Sequence, residues 1–217
     1  MSNAALAYMT QSKTILDRIE STQMDVIEHA AEMGYRIKLL CVARRTDEGV
    51  EARTQPCLVP AGSPLGTLEG VTNMVALEGD FVGRIVRSGA GAGAGPTASA
   101  ILGDLVDVAR GFIAPAFGQP AASLAPSNRP ATTSAAAYYL RFSLTDAPGV
   151  LARVAQALGD AGISIDRMRQ IAHAGPEAPV LIVTHRTERA ALDRALGEIA
   201  GFDVCRAQPV AIRVEEV

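Results

Sequence analysis

Thr145-Asp146-Ala147-Pro148-Gly149-Val150-Leu151 stands between an extended run and a helical one, and everything around it is read from that junction. Before it, Leu140, Phe142 and Leu144 alternate with Arg141 and Ser143, the period-two pattern of a half-buried strand. After it, Val150, Leu151, Val154 and Leu158 mark one face of a helix. Further on, residues 163–171 and 180–185 read as two more strands. Leu192, Ala195, Leu196 and Ile199 line a second helix, and Val210, Ile212 and Val214 alternate in a last strand. The order is βαββαβ, the split motif of ferredoxin-like domains, and it is assigned to residues 137–217.

Toward lower numbers the chain changes character. Residues 113–136 are rich in Pro, Ala, Ser, Thr and Asn, carry almost no charge and lack periodicity, so they read as a partly extended linker. Ahead of the linker, residues 1–112 form a first domain. Met24, Ile27 and Ala31 recur at helical spacing over residues 22–33, and Gly34 stands where a helix ends. Residues 36–45 and 50–59 are apolar, β-prone arms on either side of Thr46-Asp47-Glu48-Gly49, a hairpin. A second hairpin joins residues 71–77 to 81–87 through Glu78-Gly79-Asp80. Gly89-Ala90-Gly91-Ala92-Gly93-Ala94-Gly95 follows, then Pro96-Thr97 and a helix from Ala98 to about Arg110. The fold class is α+β: a mixed sheet with helices, then a ferredoxin-like domain.

Composition narrows the partners. A net charge of −3 without blocks of one sign offers no basic stripe for nucleic acid or an acidic membrane surface. No apolar run approaches the roughly 18 residues a membrane-spanning helix requires, and no signal pattern opens the chain, so a cytoplasmic protein is expected. Cys41, Cys57 and Cys205 are odd in number and set in apolar surroundings, which fits reduced core thiols. His29, His173 and His185 are too scattered for a metal cluster.

Two segments could carry ligand chemistry. Backbone amides at the helix start near Gly149 can hold an α-carboxylate, while Asp146 or Asp166 can accept from an α-ammonium group. For Asp146 alone, simple capping of the helix is an equal reading. The glycine run satisfies G-x-G-x-x-A from Gly89, yet the strand before it belongs to a hairpin, and no acidic residue lies about 20 residues on to take a ribose. Taken alone, it serves close backbone packing as readily as ligand contact.

The longer string shifts that balance. Gly34-Tyr35-Arg36-Ile37-Lys38-Leu39-Leu40, Ala43-Arg44-Arg45, Glu78-Gly79-Asp80-Phe81-Val82-Gly83, and the glycine run with Pro96-Thr97-Ala98-Ser99-Ala100 and Gly103-Asp104 together resemble homoserine dehydrogenase over residues 14–111. Asp146-Ala147-Pro148-Gly149-Val150-Leu151 resembles the D-x-P-G-V-L signature of ACT domains, and Gly162-Ile163-Ser164-Ile165-Asp166 their second-strand entry, over residues 138–216. The resemblance implies NAD- or NADP-dependent interconversion of L-aspartate 4-semialdehyde and L-homoserine, feedback by an amino acid, with L-threonine expected, and a homo-oligomer, most simply a dimer. It implies that Gly93 contacts the cofactor. It places the amino-acid effector on Asp146, Pro148, Gly149, Val150, Leu151 and Asp166.

The family's Rossmann half and its acidic segment with a catalytic lysine have no counterpart in these residues. Lys13 lies too close to Gly34 to be that lysine, and Lys38 sits in an apolar strand. No residue is therefore assigned a catalytic role, and neither turnover nor cofactor binding is expected of this chain by itself. A non-enzymatic amino-acid-sensing module acting on a partner is the alternative from another class. A fragment retaining only oligomerisation contacts is the third.

Overall fold

The computed structural model describes residues 4–11, 21–115, 118–126, 128, 133–171, 175 and 177–216, with side chains from Val26 onward. Lys13 and His173 fall outside these residues. The chain is a mixed α+β fold that divides into two compact units whose members alternate along the sequence.

The first unit gathers strand β1 (Ala4–Gln11), the turn half (Leu40–Thr54) of a hairpin made by β2 (Tyr35–Thr46) and β3 (Gly49–Pro60), and the described residues from Leu68 to Asn128. Strand β4 (Thr72–Gly79) lies between β1 and β5 (Gly83–Ala90), antiparallel to both, and β1 continues to β2. The sequence reading assigns nothing to Ala4–Gln11. Ala4-Ala5-Leu6-Ala7-Tyr8-Met9 is built mostly of helix formers without alternation, and pairing with β4 overrides that local preference.

The second hairpin turns two residues later than expected, at Asp80-Phe81-Val82. Glu78 stays in the strand opposite Arg84, with which it forms an ion pair, Gly79 pairs with Gly83, and Gly83 takes the left-handed φ of 66° that such a loop needs. Helix α2 (Ala94–Ala109) likewise begins four residues before Ala98, with Gly93 as its N-cap. Pro96 falls inside the first turn, where an absent N–H removes no intrahelical bond. Gly89 and Ala90 belong to β5 and Ala94 and Gly95 to α2, so only Gly91, Ala92 and Gly93 of the glycine run lie between strand and helix. At the tip of the first hairpin the Val50 amide donates to the Asn128 carbonyl at 2.9 Å. A Cβ on Gly49 would fall 2.1 Å from that oxygen, so only glycine lets the connecting segment pass there.

The second unit contains α1 (Ser21–Glu32), the open half of the β2–β3 hairpin, and the chain from Thr133 onward. Gly34, with φ 83°, ends α1 as its position in the sequence predicts. Strands β6 (Tyr138–Thr145), β7 (Ile165–Gln170), β8 (Glu177–Thr184) and β9 (Val210–Val214) alternate with α3 (Val150–Asp160) and α4 (Arg189–Ala200) in the βαββαβ order. The strands lie in the order β9-β6-β8-β7, with β6 antiparallel to both β8 and β9. On the far side of β9, Cys57 and Leu58 of β3 pair in parallel with Arg213 and Val214.

Two cores follow from the alternation of side chains. Tyr138, Leu140, Phe142 and Leu144 of β6 and Val180 and Ile182 of β8 pack with Val154 and Leu158 of α3 and Leu192 and Ile199 of α4. On the other face, Tyr139, Leu181, Val183 and Val214 pack with Val26 and Ala30 of α1, Tyr35 and Leu58. Both faces of the ferredoxin-like sheet are thus covered, one by its own helices and one by chain that precedes it by about a hundred residues. Each fully buried Leu, Ile or Phe contributes about 1.5–3 kcal/mol to this arrangement. Beneath α4, Arg213 and Glu215 form an ion pair at 2.6 Å with each side chain 4 % exposed, and Arg213 also donates to the Ser134 carbonyl at 2.8 Å.

Candidate functional site

The junction between β6 and α3 is a four-residue connection, Asp146-Ala147-Pro148-Gly149. Gly149 is the N-cap of α3 and adopts φ 82°, ψ −13°. A Cβ there would meet nothing within 4 Å, so glycine is required for backbone conformation and not for space. The Gly149 carbonyl accepts from the Arg153 amide at 3.1 Å, and the Val150 amide turns back to Ala147 at 3.3 Å. The amides of Leu151 and Ala152, in the first helical turn, have no acceptor within the helix. No side chain caps α3, so Asp146 does not perform the capping role that the sequence left open.

Asp146 instead lies at the surface, 3.5 Å from the Nε2 of Gln170 at the end of β7. The two flank a notch of about 40 Å³ floored by Leu144, Val150 and Val180. Volume of that order holds only a few water molecules. Behind the loop, Thr145 is fixed three times over: its amide donates to Val204, its hydroxyl donates to the same carbonyl, and Arg206 donates to that hydroxyl at 2.8 Å. Burial pushes the Cys205 thiol up from its ordinary value, and it donates to the Ala207 carbonyl.

Of the residues expected to form the effector site, Asp146, Pro148, Gly149, Val150 and Leu151 are contiguous here. Asp166 is not brought to them. It lies four residues from Gln170 along β7, about 13 Å in an extended strand, and its carboxylate pairs with Arg167 at 3.1 Å. Gln170 is the residue that sequence reasoning missed. Its strand placement alone gives no signal, and only the pairing of β6 and β7 through β8 brings it beside Asp146.

Gly93, the other expected ligand residue, caps α2 with φ 124°, ψ 153°, a conformation that residues with a side chain rarely adopt. Its carbonyl accepts from the Thr97 amide at 3.1 Å, leaving the amides of Ala94 and Gly95 turned outward at the helix start. None of the residues of α2 is buried; Ile101, Leu102, Leu105 and Val108 are exposed, as are Phe112 and Ile113 beyond it.

The homoserine dehydrogenase family model matches residues 2–106, and the ACT domain model matches residues 138–201. The chain is similar to the homoserine dehydrogenase of Pseudomonas aeruginosa, with 38% identity over 201 residues that cover 88% of this chain and 46% of that protein. To the homoserine dehydrogenase of Neisseria gonorrhoeae it is 37% identical, over 99% of this chain and 52% of that one. A crystal structure of a homoserine dehydrogenase from Thiobacillus denitrificans superposes with a TM-score of 0.77 at 37% identity, covering 88% of this chain and 45% of that chain. The chain therefore spans about half the length of the relatives it matches. Matched in order by both models, it belongs to the homoserine dehydrogenase family and carries an ACT domain.

Proposed function

We propose that this chain is the sensor-bearing half of a cytoplasmic homoserine dehydrogenase, in which a nicotinamide cofactor, NAD or NADP, interconverts L-aspartate 4-semialdehyde and L-homoserine. The observation that carries the regulatory part of the reading is the β6–α3 junction. An α-amino acid presents one carboxylate and one ammonium. The outward amides of Leu151 and Ala152 suit the first, and Asp146 with the Gln170 side-chain carbonyl suits the second. Pro148 and Gly149 hold the connection in the one conformation that leaves those amides uncapped, while Val150 and Leu151 offer apolar surface to the ligand's side chain. L-Threonine, whose hydroxyl can also use Gln170, is the effector proposed. Asp166, held by Arg167, is assigned no contact with the ligand inside one chain.

The notch within a single chain is far smaller than an amino acid, so a second copy's ACT domain completes the site. Effector binding then favours one arrangement of the pair, and a coupling of about 1–3 kcal/mol is enough to change substrate or cofactor affinity five- to about a hundredfold. At the other end, Gly93 and the first turn of α2 face the cofactor's polar groups, where the absence of a Cβ permits close approach. The exposed aliphatic face of α2 meets the nucleotide-binding half of the enzyme. Hydride transfer belongs to the cofactor, and the lysine that would deliver a proton to the aldehyde oxygen belongs to that half, so the 217 residues alone do not turn over.

The test is to express the coding region upstream together with this one and to follow NADPH or NADH consumption with L-aspartate 4-semialdehyde, with and without L-threonine. Activity that falls as threonine rises, and that loses this response in Asp146→Ala, supports the reading. Activity indifferent to threonine, isoleucine and methionine removes the sensor. The absence of any turnover with either cofactor removes the enzyme and favours the non-enzymatic sensing module.

A further inference from the structure

The Gly91-Ala92-Gly93 connection between β5 and α2 needs glycine twice, for different reasons. At Gly93 the reason is conformation: φ is 124°, and the atoms nearest to a Cβ there are ring carbons of Pro96 at 3.5 and 3.8 Å, ordinary contact distances. Gly91 is not among the glycines with positive φ, so its backbone does not itself demand glycine. What excludes a side chain is Asn73. The three atoms nearest to a Cβ on Gly91 all belong to the Asn73 carboxamide, whose Nδ2 occupies the position that this Cβ would take.

The main chain of Asn73 is held from both sides. It lies in β4, opposite Gln11 of β1 and Gly89 of β5, within two antiparallel ladders. Its side chain leans past Gly89, where a Cβ would meet nothing within 4 Å, to the diagonal position two residues on. Two residues after that contact, Gly93 turns the chain into α2, and its carbonyl accepts from the Thr97 amide at 3.1 Å. A shift at Gly91 is therefore only a few bonds away from the outward amides of Ala94 and Gly95.

We propose that Asn73 is a positioning residue for cofactor binding: its carboxamide, lodged against Gly91, fixes the path of the connection and so the direction in which the first-turn amides of α2 face. The role rests on the reading of Gly93 as a cofactor contact. Asn73 acts through Gly91 and is assigned no contact with cofactor or substrate.

Two variants approach the contact from opposite sides. Asn73→Ala empties the space, whereas Gly91→Ala fills it and drives the carboxamide out. In the full chain with nitrogen-labelled amides, each is expected to move the Gly93 and Thr97 signals and to leave that of Leu77, further along β4, in place. In the enzyme restored with its upstream coding region, each should raise KM for NADPH or NADH about tenfold and keep KM for L-aspartate 4-semialdehyde within about twofold of the parent. One Cβ and one carboxamide compete for a single position, so Gly91→Ala should add nothing in the Asn73→Ala background, where independent positions would multiply their effects. A residue that only supported β4 would lower the urea midpoint without separating the two KM values. Gly91 is exposed, so Gly91→Ala decides the matter if Asn73→Ala does not fold. In an active parent, unmoved Gly93 and Thr97 signals, KM values that rise together or not at all, or multiplied effects in the double variant would each overturn the positioning role alone. A parent that turns over with neither cofactor would remove the reading of Gly93, and the positioning role with it.

Discussion

Leu181 and Ile182 are neighbours on β8, each 0 % exposed, and they enter different cores. Ile182 packs among α3 and α4, as any ferredoxin-like sheet requires. Leu181 is buried by Val26 and Ala30 of α1 and by Leu58 of β3, the covering that makes this sheet two-sided. Leu181→Ala is expected to cost about 2–5 kcal/mol, the range for removing a large aliphatic side chain from a closed core. At a central value near 3 kcal/mol, the thermal midpoint of a chain this size falls by about 6–12 °C. Urea unfolding followed by circular dichroism measures the cost, with Ile182→Ala as the reference. Val26→Ala should couple to Leu181→Ala by about 0.5–3 kcal/mol in a double-mutant cycle and should add independently to Ile182→Ala. A cost below about 0.5 kcal/mol, typical of a surface position, would mean that α1 does not cover the sheet and would refute the reasoning.

Other substitutions address single features. Gly149→Ala places a side chain at φ 82° and should lower stability by about 1–2 kcal/mol in chemical denaturation, although the space is open. Arg213→Met removes one member of a buried ion pair and should cost about 3–5 kcal/mol, whereas Arg213→Met combined with Glu215→Leu should recover most of that loss. Tyr139 is fully buried, its hydroxyl has no hydrogen-bond partner among the described residues, and burial pushes its pKa up to about 12. Below pH 10 both folded and unfolded chains hold the proton. Between pH 10 and 12 only the folded chain does, so stability falls as pH rises through that window. Tyr139→Phe should be at least as stable as the parent at pH 8, because it removes an unsatisfied hydroxyl, and should flatten the alkaline loss measured by urea titration at pH 8 to 11.

The ferredoxin-like half was legible because its signals are local. The alternation of Leu140, Phe142 and Leu144, the helical spacing after Val150 and the glycine at 149 each concern a few adjacent residues, and the structure places β6, α3 and the αL cap accordingly. The α1 covering was not read, although Tyr138-Tyr139-Leu140 and Val180-Leu181-Ile182-Val183 are apolar without a break, the mark of strands buried on both faces. The alternation of Leu140, Phe142 and Leu144 overlies that mark at Tyr139. β1 escaped because its residues prefer helix and only long-range pairing makes them a strand. The same limit applies to the site. Asp146 and Gly149 are close enough in sequence to be seen together, whereas Gln170 joins them only through two strand pairings.

Calorimetric titration of the 217-residue chain with L-threonine tests the sensing claim most directly. A saturable heat in the millimolar range or tighter, with a dissociation constant weakened about tenfold or more in Asp146→Ala, is the predicted result. No heat from threonine, nor from isoleucine, methionine or homoserine, would contradict it.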